Sequence, residues 1–225
     1  MRKLSVLLGI TLLIFGLVGT ADALYIEATL TADNHYALYF GDEEGVTFVG
    51  RNEEGHWGSG PGPFNWSDPE TFVFEMDPED YIYVAAWSDD LVAQGLIGEF
   101  VFDHGTILTD TSHWEVYLNE GANLGDGDPA PSPDEIEANI NSAWSPIVHS
   151  VDHGSNPWGT IDGISDDAKW IWGGELIGGS GNGEYQIFRT QAHAAPVPEP
   201  ATLLLLGSGL IGLTGLGRKK FLKKC

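Results

Sequence analysis

Apolar residues in the middle of the chain recur at every second position or in short continuous runs, and Gly, Asp and Pro separate them. Alternation with a period of two is typical of strands with one buried face, and short apolar runs are typical of fully buried strands. The pattern predicts strands at residues 24–30, 35–40, 46–49, 71–76, 80–87, 96–102, 114–118, 169–172 and 184–189. Closely spaced strands without intervening helices indicate a mainly β, antiparallel β-sandwich.

One short helix is predicted within this domain. Residues 132–135, Ser-Pro-Asp-Glu, place Ser at the N-cap, Pro at the first helical position and Glu at the third, which is a capping box. Ile136, Ile140 and Trp144 follow at intervals of four and form one apolar stripe, and Pro146 ends the helix. We expect the helix to pack over an open end or an edge of the sandwich.

The N-terminal residues have the pattern of a secretory signal peptide. Arg2 and Lys3 precede an apolar stretch at 4–19, and Ala-Asp-Ala at 21–23 is a small-residue cleavage site. We therefore predict a signal helix in residues 1–23, with cleavage before Leu24. A retained N-terminal anchor is the alternative.

The C-terminal residues predict a membrane segment. Residues 201–217 are apolar and as a helix would extend about 25 Å, the thin end of bilayer-spanning length. Residues 218–225 follow with five cations, which the positive-inside rule places in the cytoplasm. A buried core helix is the alternative, but such a helix would not be followed by this basic cluster.

Pro198, Glu199 and Pro200, followed by the apolar run and the basic cluster, resemble a PEP-CTERM sorting signal over residues 197–225. The resemblance implies export in a Gram-negative, exopolysaccharide-producing bacterium and recognition by an exosortase, a membrane transpeptidase that removes the tail. It also implies an intermediate anchored in the inner membrane, and a final location at the cell surface, in the outer envelope or in the extracellular matrix.

The charge of the predicted extracytoplasmic domain, residues 24–196, excludes several partners. Its cations are Arg51, Lys169 and Arg189, whereas nearly all of the 33 acidic residues of the chain lie in it. Such a surface repels nucleic acid and anionic membranes, and suits divalent cations or a hydrated matrix. The one cysteine of the chain is Cys225, so this domain has no disulfide and depends on its core for stability.

Several segments of the domain resemble galactose-binding-like jelly rolls. They are residues 31–41, 81–87, 168–172 and 184–189. The resemblance implies a jelly-roll order of strands, and a role in binding sugar or in bracing a neighbouring domain. Gly41-Asp42 stands where this family usually has Asn-Gly.

Trp57, Trp66 and Trp158 lie in segments rich in Gly, Pro and Asn, where indole rings can stack on sugars. The alternative is that each ring closes an end of the sandwich. Asp33, Asp126 and Asp128 offer hard oxygen ligands, which Ca²⁺ prefers, so we consider a structural Ca²⁺ ion there.

Residues 149–153 contain His149, Asp152 and His153, a spacing that would group metal ligands on a helix. Nearby Pro and Gly indicate a loop, so a structural or solvent-facing role is favoured.

These features favour an exported, exosortase-sorted protein of the envelope or matrix whose sandwich is not an enzyme and contacts exopolysaccharide or other matrix components. The alternative is a secreted polysaccharide-active enzyme with two carboxyls about 5–9.5 Å apart.

Overall fold

A computed structural model describes residues 23–52, 66–89, 92–103, 105–119, 124, 128–178 and 185–191. The predicted signal peptide (residues 1–22 of it), the sorting motif 198–200, the membrane segment 201–217 and the basic tail 218–225 lie outside these residues. Among the described residues, no helix has the length and apolar character needed to cross a membrane.

Within the described residues, twelve strands form two antiparallel sheets, and one short helix accompanies them. In chain order the elements are β1 (Leu24–Asp33), β2 (His35–Asp42), β3 (Gly45–Arg51), β4 (Glu70–Met76), β5 (Tyr81–Trp87), β6 (Gly95–Phe102), β7 (Gly105–Leu108), β8 (Glu115–Leu118), α1 (Pro133–Glu137), β9 (Ser145–Pro146), β10 (His149–Asp152), β11 (Lys169–Trp172) and β12 (Gln186–Gln191). The mainly β, sandwich-like prediction is therefore confirmed, and the jelly-roll identity stays a prediction.

Sheet A has the strand order β10-β11-β6-β1-β4, with β7 also paired to β6. Sheet B has the order β3-β2-β5-β12-β8-β9. Alternate residues of β1, from Leu24 to Ala32, are buried in the main core together with Leu38, Ile82 and Val84 of sheet B. The alternation in β1 that predicts a strand is thus the alternation between its core face and its outer face.

Strand β5 is buried on both faces, as its continuous apolar sequence predicts. Ile82 and Val84 belong to the main core, whereas Tyr83 and Trp87 belong to a second cluster on the outer face of sheet B. Ile136, together with the residue four positions later, Ile140, covers this second cluster. The helical segment therefore gives sheet B its second buried face.

Helix α1 begins as predicted and ends earlier than predicted. The Ser132 hydroxyl accepts from the Glu135 backbone, and the Glu135 carboxylate accepts from the Ser132 backbone, so the capping box is confirmed. Ala138 is the C-cap, and the prediction that the helix continues through Trp144 is wrong. The Asn139 side chain donates to the Glu135 carbonyl, a local bond that competes with further helix. The helix contacts β3, the edge strand of sheet B, in agreement with the expected edge packing.

Strands β7, β9 and β10 are absent from the sequence prediction. Residues 149–152, expected in a loop, form β10 and pair with β11 at the edge of sheet A. β9 consists of Ser145 and Pro146, so the proline that was expected to end the helix instead lies beside Glu115 of β8. Proline is tolerated there because β9 is an edge strand.

The two sheets meet at a corner formed by Asn34, between β1 and β2. Asp33 lies opposite Gly95 in sheet A, and His35 lies opposite Trp87 in sheet B. We call this end of the two sheets the Asn34 end. At the other end, β12 finishes at Gln191 opposite Tyr81.

Candidate functional site at the Asn34 end

Two asparagine side chains hold the Asn34 end together. The Asn34 amide oxygen accepts from the Asp89 backbone over 3.0 Å, which links the corner to the segment after β5. The Asn52 amide nitrogen donates to the Asn34 carbonyl over 2.7 Å, and its amide oxygen accepts from the Tyr36 backbone over 3.1 Å. These bonds satisfy backbone groups at the strand ends and connect β1, β2, β3 and β5.

Trp158 lies inside this end of the sandwich. Its ring is 3% exposed and stacks on Trp170 with 4.4 Å between ring centroids. Its indole nitrogen donates to the Asp33 carboxylate over 2.7 Å. Gly95 faces both rings, since a β-carbon there would lie 2.9 Å from Trp170 and 3.5 Å from Trp158. The geometry of Trp158 is therefore that of a ring closing the sandwich end, and its predicted role in sugar stacking stays a prediction.

The Asp33 carboxyl is buried, and burial raises its pKa to about 6. The hydrogen bond from Trp158 opposes this shift by stabilising the carboxylate, whereas the nearby negative charge of Asp89 adds to it. A fraction of the Asp33 side chains is therefore protonated just below neutral pH.

The loop that carries the other candidate tryptophans joins the two sheets at the same end. It leaves sheet B after Asn52 and returns to the described residues at Trp66, shortly before β4. Trp66 is half-buried and packs against the main core. Trp57 lies between these anchors, outside the described residues. The structure thus brings Trp66 and Trp158 to one end of the sandwich, together with both ends of the loop that contains Trp57.

Arg51 and His35 both lie against one buried ring at this end. His35 stacks on Trp87 with 5.1 Å between centroids, and the Arg51 guanidinium lies 5.7 Å from the centre of that ring. Arg51 also donates to the backbone oxygen of Asp128 over 3.0 Å. Arg51, one of the few cations of the domain, therefore attaches the segment before α1 to β3.

The predicted calcium ligands are not assembled into one site by the described residues. The Asp33 carboxylate is bonded to Trp158, while Asp128 is exposed and contacts Arg51 through its backbone. Asp126 lies outside the described residues. Within the described part of the chain, no three His, Cys, Asp or Glu side chains are grouped so that they could hold a metal ion. The Ca²⁺ ion stays a prediction.

Four buried nitrogen donors at the Asn34 end find no acceptor among the described residues: Trp87 Nε1, Trp170 Nε1, Trp172 Nε1 and Gln186 Nε2. The Gln186 oxygen accepts from the Gly173 backbone over 2.8 Å, which places this side chain beside the end of β11. Buried donors usually have a partner, so a bound water is the expected acceptor. Sequence reasoning missed Gln186, although a glutamine at the start of an apolar strand was a usable signal.

Within residues 149–153, Asp152 and His153 make structural contacts. Asp152 forms an ion pair with Lys169. The buried His153 donates from Nδ1 to the Ser165 carbonyl over 3.0 Å and accepts at Nε2 from the Ile161 backbone over 2.7 Å. Both ring nitrogens are therefore used to hold the loop after β10, in agreement with the structural role that the sequence favoured.

Comparison with known proteins finds a match for the C-terminal part of the chain. No curated protein and no solved structure matches the chain. Residues 196–220 match the family model of the PEP-CTERM protein-sorting motif, so the chain carries the sorting signal of exported, exosortase-processed proteins.

Proposed function

We propose that this protein is a non-catalytic component of the cell envelope or extracellular matrix, whose β-sandwich contacts exopolysaccharide at the Asn34 end. The PEP-CTERM motif supports export, membrane anchoring before sorting, and recognition by an exosortase. The remaining part of the proposal, the contact with polysaccharide, rests on the geometry of the sandwich.

The observation that carries the proposal is the convergence of tryptophans at one end of the sandwich. The loop containing Trp57 is anchored there by Asn52 and Trp66, and Trp66 is only half-buried. Indole faces bind the apolar faces of sugars. Because the domain carries few cations, such a surface favours a neutral, hydroxyl-rich ligand.

The environment of Asp33 favours binding over catalysis. A glycosidase needs a general acid of raised pKa that faces the substrate, and a second carboxyl within about 5–9.5 Å of it. Asp33 has a raised pKa, but it is 8% exposed and one of its oxygens is occupied by Trp158. A glycan could reach this carboxyl only after displacing the Trp158 ring.

A glycan-binding experiment tests the proposal. The full chain in a neutral detergent is applied to an array of bacterial and plant polysaccharides, with and without Ca²⁺. We expect reproducible binding, and a loss of about tenfold or more for Trp57→Ala and Trp66→Ala, because stacked aromatic rings are typical binding hot spots. Tyr117→Ala, a half-buried aromatic on the outer face of sheet B, is the matched control. Hydrolysis of any arrayed glycan would instead support an enzyme.

Sorting is tested separately in cells. Replacing Pro198, Glu199 and Pro200 by alanine should leave the full-length chain in the membrane fraction and remove any processed form. Processing at the normal rate after this change would contradict recognition of the motif.

A further inference from the structure

The outer face of sheet A carries an open strip of apolar side chains. Val73 of β4, Tyr25 of β1 and Val101 of β6 are 52%, 47% and 42% exposed. Glu27 lies directly between the two valines, since it is paired with Val73 on one side and with Val101 on the other. Tyr25 is paired with Glu75 in the adjacent row. We call these five residues the Tyr25 strip.

The strip is bounded on one side. Its backbone groups already pair within the sheet, so it presents only side chains to a partner. Towards the Asn34 end, the Thr29 and Thr71 hydroxyls are bonded over 2.9 Å, and the Ser165 backbone donates to Glu99 over 2.8 Å. The loop after β10 therefore covers the row that contains Thr29 and Glu99, and the strip stays open beside this row.

The cations of the domain are engaged with groups other than the two carboxylates of the strip. Lys169 pairs with Asp152, Arg189 pairs with Glu115, and the Arg51 guanidinium lies over Trp87. Glu27 and Glu75 are exposed, so the strip combines an aromatic ring, two aliphatic side chains and two negative charges.

We propose that the Tyr25 strip binds a cationic polysaccharide, a polymer of amino sugars with free amino groups. The apolar faces of the pyranose rings would lie on Tyr25, Val73 and Val101, and the ammonium groups would contact Glu27 and Glu75. A polyanionic glycan is disfavoured because the domain's few cations are engaged elsewhere. A second copy of the chain is disfavoured because two strongly acidic domains repel each other.

This inference names a second surface and a second ligand class, so it does not depend on binding at the Asn34 end. The full chain in neutral detergent is titrated with glucosamine oligosaccharides that carry free amines, and with their fully N-acetylated counterparts. We expect binding of the free-amine series, and at least about tenfold weaker binding after Tyr25→Thr, which keeps a strand-forming residue. Glu27→Gln with Glu75→Gln should have a similar effect.

Glu43→Gln with Glu44→Gln is the matched control, because it removes the same charge from exposed positions in the β2–β3 turn. We expect this control to weaken binding less than about twofold at physiological salt, where distant surface charges are screened. Equal losses in the two charge variants, or unchanged binding by Tyr25→Thr, would overturn the proposal. Trp57→Ala should leave this titration unchanged, so failure of this inference and failure of the Asn34-end proposal give different results.

Discussion

Trp158 donates a hydrogen bond to Asp33 across 125 residues of sequence, and both side chains are buried. The bond joins the last residue of β1 to the loop that follows β10. The Asp33 carboxylate is thus buried with one strong hydrogen-bond donor, the Trp158 indole, and with Asp89 as a negatively charged neighbour. Asp33 therefore lowers the stability of the fold when it is ionised, while its acceptor oxygen positions Trp158.

The first prediction follows from the pKa of Asp33, which is about 6 in the folded protein and has an ordinary value of 3.8. Between these values the folded state binds more protons than the unfolded state, so stability falls as pH rises. Above pH 6 the accumulated cost is on the order of 3 kcal/mol. Asp33→Asn should therefore raise the free energy of unfolding at pH 7.5 and lose this advantage near pH 4.

Urea unfolding of the full chain across this pH range measures the effect. Asp162→Asn is the control, because Asp162 is exposed and should change stability little at any pH. If Asp33→Asn were equally stabilising at pH 4 and pH 7.5, burial of the charge would not be the cause.

The second prediction concerns the indole nitrogen of Trp158. Trp158→Phe keeps a ring against Trp170 but leaves the Asp33 carboxylate without its donor, so it should cost about 1–3 kcal/mol at pH 7.5. The cost should shrink when Asp33→Asn is present, because an uncharged group loses less without the bond. A double-mutant cycle from urea unfolding measures this coupling. Additive effects would show that the hydrogen bond is energetically unimportant.

The third prediction tests the close packing at Gly95. Alanine there would place its β-carbon 2.9 Å from Trp170, and the ring cannot retreat because it is fully buried and stacked on Trp158. Gly95→Ala should therefore cost about 1–3 kcal/mol, as expected for overpacking. Gly45→Ala, where a β-carbon would have no neighbour within 4 Å, is the matched control and should be neutral in a thermal melt. A stable Gly95→Ala variant would contradict the packing described.

The local patterns of the sequence predicted the long strands and the start of the helix. The alternation in β1 and the apolar run in β5 follow directly from one buried face and two buried faces. The capping box of Ser132 and Glu135 was also predictable, because all its atoms lie within four residues. Signals of this kind depend only on neighbouring residues.

The remaining features depend on contacts between distant residues. β7, β9 and β10 are two to four residues long, too short for a recognisable period. The helix ends before Trp144 because Trp144 packs instead against Tyr83, Tyr117 and Arg189, which belong to strands distant in sequence. No local signal indicated that Trp158 would reach Asp33. The position of Trp66 and Trp158 at one end likewise follows from strand register, which the sequence pattern did not define.

The fourth prediction concerns Arg189, which connects sheet B to the segment after the helix. Its guanidinium lies 4.1 Å from the centre of the Trp144 ring and 4.9 Å from that of Tyr81, and it donates twice to the Glu115 carboxylate over 2.7 and 2.9 Å. A lysine cannot reproduce both the planar stacking and the paired bonds. Arg189→Lys should therefore cost about 1–2 kcal/mol, mainly through the ring contacts.

Lys169→Met is the control for Arg189→Lys. The Lys169–Asp152 pair is largely exposed, and such pairs contribute about 0–1 kcal/mol to the free energy of unfolding. Arg189→Lys should also speed hydrogen exchange at Val116, whose partner Ser145 adjoins Trp144. A loss of stability without faster exchange at Val116 would mean that Arg189 acts only through Glu115. A loss no larger than that of Lys169→Met would show that the stacked guanidinium does not hold the segment in place.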